Sequence, residues 1–174
     1  MQTALETRSQ AGTDHTPDRP LYDLIELLFF AYRDFVGDPD RTLEQYGFGR
    51  AHHRVLHFVD RNPGLTIAAL LDILKITKQS LNRVLKELLE KGYVEQRAGK
   101  SDRRQRLLFP TPRGRALALD LARMQTRRIA RALEESGPGS DAAARRFLAA
   151  MVEPAERPTV ARLAHDDAEL GGPS

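Results

Sequence analysis

Residues 76 to 111, ITKQSLNRVLKELLEKGYVEQRAGKSDRRQRLLFPT, carry three structural signals in one short stretch. Leu81, Val84, Leu85, Leu88 and Leu89 fall on one stripe at 3.6-residue spacing, the pattern of an amphipathic helix. Thr77 is suited to cap its start and Gly92 its end. Tyr93 to Arg97 and Gln105 to Phe109 then read as strands, joined by the turn-rich basic run Ala98 to Arg104. A helix that stops on glycine and passes directly into a hairpin with a cationic tip is compatible with few folds.

The segment before it narrows the choice. Leu65 to Leu74 reads as a short capped helix with its apolar stripe at Ile67, Leu70, Leu71 and Leu74, separated from the next helix by Lys75-Ile76 alone. Two short helices joined this tightly make a helix-turn-helix, and the hairpin makes it a winged one. The expected fold is mainly α with a small β-hairpin wing. On the outer face of the second helix stand Gln79, Arg83 and Lys86, flanked by Ser80 and Asn82, all able to contact bases or phosphates. The acids Glu87 and Glu90 come in the last turns, where a helix entering a major groove by its N-terminal end has already left it.

Charge is concentrated in the same place. Residues 75 to 106 hold ten lysines and arginines against four acids, a net of +6, whereas the whole chain is +3 and the remainder therefore sums to −3. A polyanion is the natural partner of such a segment.

Thr77-Lys78-Gln79-Ser80-Leu81-Asn82-Arg83-Val84-Leu85, Leu88 to Val94 (LLEKGYV), Asp102-Arg103-Arg104 and Leu107 to Gly114 (LLFPTPRG) together resemble the MarR-type winged-helix transcription regulators in order and spacing. The similarity extends over about residues 20 to 150. The resemblance implies a homodimer, held by helices from both chain ends, that binds a pseudo-palindromic operator in double-stranded DNA. Carried onto this chain, it places Thr77, Lys78, Gln79, Ser80, Asn82, Arg83 and Lys86 in the major groove. It makes Arg97, Lys100, Asp102, Arg103 and Arg104 the wing's contribution, with Arg104 entering the minor groove and Asp102 bracing it. A carboxylate two residues from a guanidinium can pre-orient it, and narrow minor grooves attract arginine; equally, Asp102 can serve only to cap a turn.

The flanking segments fit an assembly role. Leu21 to Val36 is apolar over more than one helical face, more than one neighbour requires. Thr111-Pro112 opens another helix as N-cap and first residue, and Leu117, Leu121, Met124, Ile129 and Leu133 carry it to about residue 135. Ser140 to Val152 closes the bundle. The expected organisation is a mobile tail over 1–19, one domain over 20–152 and a second mobile tail over 153–174. Within the domain, 20–61 and 112–152 supply dimerisation helices and 62–111 the winged helix-turn-helix.

A third cluster, Gly49 to Asp60 (GRAHHRVLHFVD), lies on a helix ahead of the helix-turn-helix. His53 and His57 are spaced i,i+4 and share a face, but nothing nearby completes a metal ligand set. Arg50, His52, His53, Arg54 and His57 can instead line a cavity. The resemblance implies that such a cavity takes a small aromatic acid, whose carboxylate a histidine or arginine would pair with. The plainer alternative is that they pack and hydrogen-bond at a dimer edge.

The absence of cysteine removes disulfides, thiolate metal sites and thiol redox switching. Nucleophile elbows, phosphate loops and dinucleotide fingerprints are missing, so neither an enzyme nor a cofactor is expected. No apolar run approaches the roughly 20 residues a bilayer span needs, and the polar N-terminus lacks a signal core, which points to a cytoplasmic, nucleoid-associated protein of bacterial type. The expectation is a dimeric repressor released from its operator by a small ligand. The alternatives are a winged helix used as a protein-interaction module and an unspecific architectural DNA binder.

Overall fold

The computed structural model describes residues 19–99 and 104–165. Seven helices and a three-stranded antiparallel sheet occur among them, in the order α1 (Tyr22–Glu44), α2 (Arg50–Arg61), β1 (Leu65–Thr66), α3 (Ile67–Leu74), α4 (Lys78–Glu90), β2 (Val94–Ala98), β3 (Arg106–Pro110), α5 (Pro112–Glu135), α6 (Ser140–Met151) and α7 (Arg157–His165). The expected winged helix-turn-helix is present, α3 and α4 being its helices and β2–β3 its wing.

Three side-chain caps start the helices as the sequence indicates. Thr66, Thr77 and Thr111 each accept a hydrogen bond from the backbone N–H three residues on, at 3.1, 3.2 and 3.0 Å. Lys75 makes the turn between α3 and α4 in the left-handed region, at φ 51°. Gly92, at φ 72°, follows the end of α4 and lets Tyr93 N–H reach back to the Leu88 carbonyl at 2.9 Å.

Two elements differ in kind from the sequence expectation. Leu65-Thr66 is not the first turn of a helix but a strand, pairing with Leu108 and Leu107 of β3, so that the sheet order is β1-β3-β2. Residues 157–165, placed by sequence in a mobile tail, form α7. Arg157 ties this helix to the end of α6 through the Val152 and Ala150 carbonyls at 2.9 and 2.8 Å. The wing strands also lie one residue later than read, with Ala98 opposite Arg106.

One hydrophobic core serves the winged unit. Leu81, Val84, Leu85 and Leu88 of α4 pack there with Val55, Leu56 and Val59 of α2, Leu70 and Leu74 of α3, Tyr93, Val94 and Leu108 of the sheet and Leu117 and Leu121 of α5. Leu89, the fifth member of the stripe, is only half-buried. The first half of α1 contributes nothing to this core: Leu24, Leu27, Phe29 and Phe30 are exposed, and so are Phe147, Leu148 and Met151 of α6.

The threonine and glycine of the LLFPTPRG segment explain each other. Thr111 caps α5, donates its hydroxyl to the Gly92 carbonyl at 2.7 Å, and gives its N–H to the Tyr93 carbonyl at 3.1 Å. This brings the first turn of α5 against the chain leaving α4. A Cβ at position 114 would lie 1.9 Å from the Tyr93 oxygen, so only glycine fits there.

Candidate DNA interface and the adjoining cavity

The core stripe of α4 turns its remaining face outward. Lys78, Gln79, Ser80, Asn82, Arg83 and Lys86 are all exposed. Among the described residues Lys78, Gln79, Asn82 and Arg83 make no side-chain hydrogen bond or ion pair, and Lys86 has only a 3.7 Å approach to Glu90. Thr77 donates its hydroxyl to Ser80 Oγ at 2.9 Å, which leaves the Ser80 O–H directed elsewhere. An array of unoccupied donors on one rigid helix face is suited to an external acceptor surface.

The wing stands beside it. Arg97 lies over the Phe109 ring, 4.4 Å from its centroid, and pairs with Glu95. Arg104 is exposed at the turn into β3. Lys100, Asp102 and Arg103 lie outside the described residues.

The five α2 residues expected to line a cavity separate into two groups. His52 faces α4: its Nδ1 accepts from Gly49 N–H at 3.1 Å, so Nε2 carries the proton and donates to Glu87 at 3.0 Å. Phe48 stacks on the ring at 4.7 Å. Arg50, His53, Arg54 and His57 do come together, lining a cavity of about 240 Å³ with Tyr32 and Phe35 of α1 and Gln125 of α5. His53 is 7% exposed, and burial, helped by the field of His57, lowers its pKa from 6.5 to about 4, with Asp40 acting the other way. Arg50 is held by Asp40 at 2.7 Å, which raises the arginine's pKa. Arg54 donates to the Leu74 carbonyl at the end of α3 at 3.1 Å. Sequence reading missed Asp40, Tyr32, Gln125 and Glu87; these lie on other helices, and no local spacing announces a contact made through the fold.

Among the described residues no three of His, Cys, Asp or Glu are grouped to hold a metal ion. No described helix is long and apolar enough to cross a membrane.

The MarR family model matches residues 46–105, the span from α2 to the wing. The HTH-type transcriptional regulator PetP of Rhodobacter capsulatus is 48% identical over 140 residues, covering 80% of this chain and 84% of that protein. The chain belongs to the MarR family. MarR proteins are DNA-binding helix-turn-helix transcription regulators, not enzymes, and this chain is one of them. Two solved structures share the fold. Streptococcus pneumoniae FabT, determined in complex with DNA, superposes with a TM-score of 0.67 at 17% identity, over 74% of this chain and 92% of that one. A Mycobacterium tuberculosis MarR family protein, determined with p-aminosalicylic acid, gives 0.53 at 26% identity over 75% and 96%.

Proposed function

We propose that this MarR protein is a homodimeric, sequence-specific repressor that leaves its operator when a small aromatic acid occupies the cavity beside His53. The observation that carries the DNA reading is the exposed face of α4, on which Lys78, Gln79, Asn82 and Arg83 have no side-chain partner among the described residues. Gln79, Arg83 and Asn82 are the base readers, Lys78, Ser80 and Lys86 the phosphate contacts, and Arg104 the wing's minor-groove finger. The apolar surface of α1 and α6 is where the second copy sits, because a soluble chain does not leave this much contiguous apolar surface to water.

The mechanism is geometric. Two reader helices related by a two-fold axis must meet successive major grooves about 34 Å apart. A ligand that favours a different spacing costs one half-site its contacts. The cavity supports the ligand reading because it pairs apolar walls with cationic and imidazole groups, as a carboxylate on an aromatic ring requires. The protein acts in the cytoplasm, where the chromosome is.

Selection of random duplexes on the purified protein tests this. The expected product is a two-fold symmetric motif bound about a thousandfold better than random DNA. An asymmetric single half-site would refute the dimeric reading. Affinity without a motif, collapsing as salt rises, would instead favour an unspecific architectural binder.

A further inference from the structure

A second cleft, sharing no wall residue with the histidine cavity, lies open to solvent between the end of α1 and the middle of α5, with a volume of about 590 Å³. Arg41, Arg127, Arg128 and Arg131 line it, with Thr42 and Gln45 as further polar groups and Met124 as apolar floor; Asp38 is its one acid. Four guanidiniums against one carboxylate leave the cleft at +3, as much as the entire chain carries.

Asp38 pairs with Arg128 at 2.8 Å and with Arg41, and the Arg128 hydrogen bond in particular keeps its carboxyl below the ordinary range. It therefore acts as a fixed brace that aims two guanidiniums, each with five N–H donors and so with most of them left over. Arg127 has no partner among the described residues, and Arg131 makes only a 3.7 Å approach to Glu135. Along α5, Arg127 stands four residues from both Arg123 and Arg131, an i,i+4 arrangement of like charges that weakens a helix instead of supporting it. A helix arranged only for its own stability would alternate the signs. Arg127 also lies fifteen residues beyond Pro112, about 22 Å along α5 from the end that adjoins the wing, so this charge is not an extension of the reader face.

We infer that the cleft binds a small molecule bearing two or more closely spaced anionic groups, a polyphosphate or polycarboxylate, gripped jointly by Arg127, Arg128 and Arg131 with Arg41 across the gap. Valence follows from exposure. Arg41 and Arg131 are exposed, and a single ion pair at such a position contributes at most about 1 kcal/mol. Several guanidiniums must engage one ligand bidentately before it is retained. The volume exceeds what one phosphate fills and falls within the range of small-molecule sites.

The test is calorimetric titration of the full-length protein with sodium pyrophosphate and with citrate, on the wild type, on Arg127→Gln/Arg131→Gln, and on Arg83→Ala. The reader-face variant controls for anions attracted to the DNA surface. Binding of either probe with a dissociation constant below about 1 mM, weakened about tenfold or more in the double variant and unchanged in Arg83→Ala, establishes the site, and the tighter probe identifies the group. Equal binding by wild type and double variant overturns it, as does no binding by either probe. Sedimentation of the double variant adds one more refuting outcome: dissociation into monomers would mean that these arginines pair with acids of a second copy.

Discussion

Lowering the pH from 7 to 5 is expected to remove about 2 kcal/mol of folding stability through His53 alone. The ring is enclosed by α1, α2 and α5, with His57, Arg50 and Tyr32 near it and Asp40 as the one opposing acid. Its pKa falls from 6.5 in the unfolded chain to about 4 in the folded one, chiefly through burial. Between those values the unfolded state binds the proton and the folded state does not. This contribution to stability is therefore fully present above pH 6.5 and is lost progressively as the pH drops toward 4. The whole displacement corresponds to about 3 kcal/mol, most of it spent by pH 5. Urea unfolding followed by circular dichroism, at both pH values and at one fixed protein concentration, measures it. His53→Gln keeps a polar side chain of similar size without the titration, and the carboxylates that also respond to acid are common to both proteins. The wild type should lose about 2 kcal/mol more than the variant. Parallel losses, within about 0.5 kcal/mol, would mean that the ring is hydrated or already paired and would refute the reasoning.

Gly114→Ala should cost about 3 kcal/mol or more, because its Cβ would collide with a backbone oxygen that cannot swing away, whereas Gly92→Ala, with open space and only a positive φ to oppose it, should cost about 1 kcal/mol; similar melting temperatures for the two would contradict this. Arg83→Ala should weaken operator binding by about 1 to 3 kcal/mol and relax base preference, while Lys86→Ala weakens all duplexes alike, which binding titrations on operator and scrambled DNA distinguish. His52→Ala removes the bond to Glu87, the cap on Gly49 and the Phe48 stack together, and should cost about 1 to 3 kcal/mol in chemical denaturation. Glu87→Gln, which keeps an acceptor for the same N–H, should cost less than half of that.

What could be read from the sequence was what local chemistry determines. The stripe of α4, the threonine caps at 77 and 111 and the glycine after Lys91 each depend on neighbours no more than four positions away along the chain. β1 could not be read this way: two residues make a strand only because Leu107 and Leu108 return beside them, some forty positions later. The polar composition of residues 153–165 concealed α7 for a different reason: its side chains are mostly exposed and it has no buried apolar stripe to announce it, while Arg157 joins it to the end of α6 through the Val152 and Ala150 carbonyls. The histidine cluster was visible as a cluster, but which side chain faces which neighbour depends on Glu87, which holds His52 from thirty-five residues away, and Asp40, which holds Arg50 from ten.

That division within α2 bears on how a bound ligand could be felt at the DNA. Three consecutive residues point to three places: His52 to Glu87 on the reader helix, His53 into the cavity, and Arg54 to the last carbonyl of α3. The cavity wall is thus linked by one hydrogen bond to each helix of the helix-turn-helix, and Val55 and Leu56 pack it into their shared core. A close-packed contact of this kind transmits displacement instead of absorbing it. A ligand that pushes on His53 or His57 must either be accommodated by displacing α1 and α5 or move α2, which carries α3 and α4 with it. On the proposed homodimer both routes would change the distance between the two reader helices, and they separate experimentally. His52→Ala removes the α2–α4 hydrogen bond while leaving Arg54 and the packed core in place, so a variant that binds ligand but no longer releases DNA would assign the coupling to that bond, and one that keeps full ligand response would assign it to the remaining contacts of α2 or to α1 and α5.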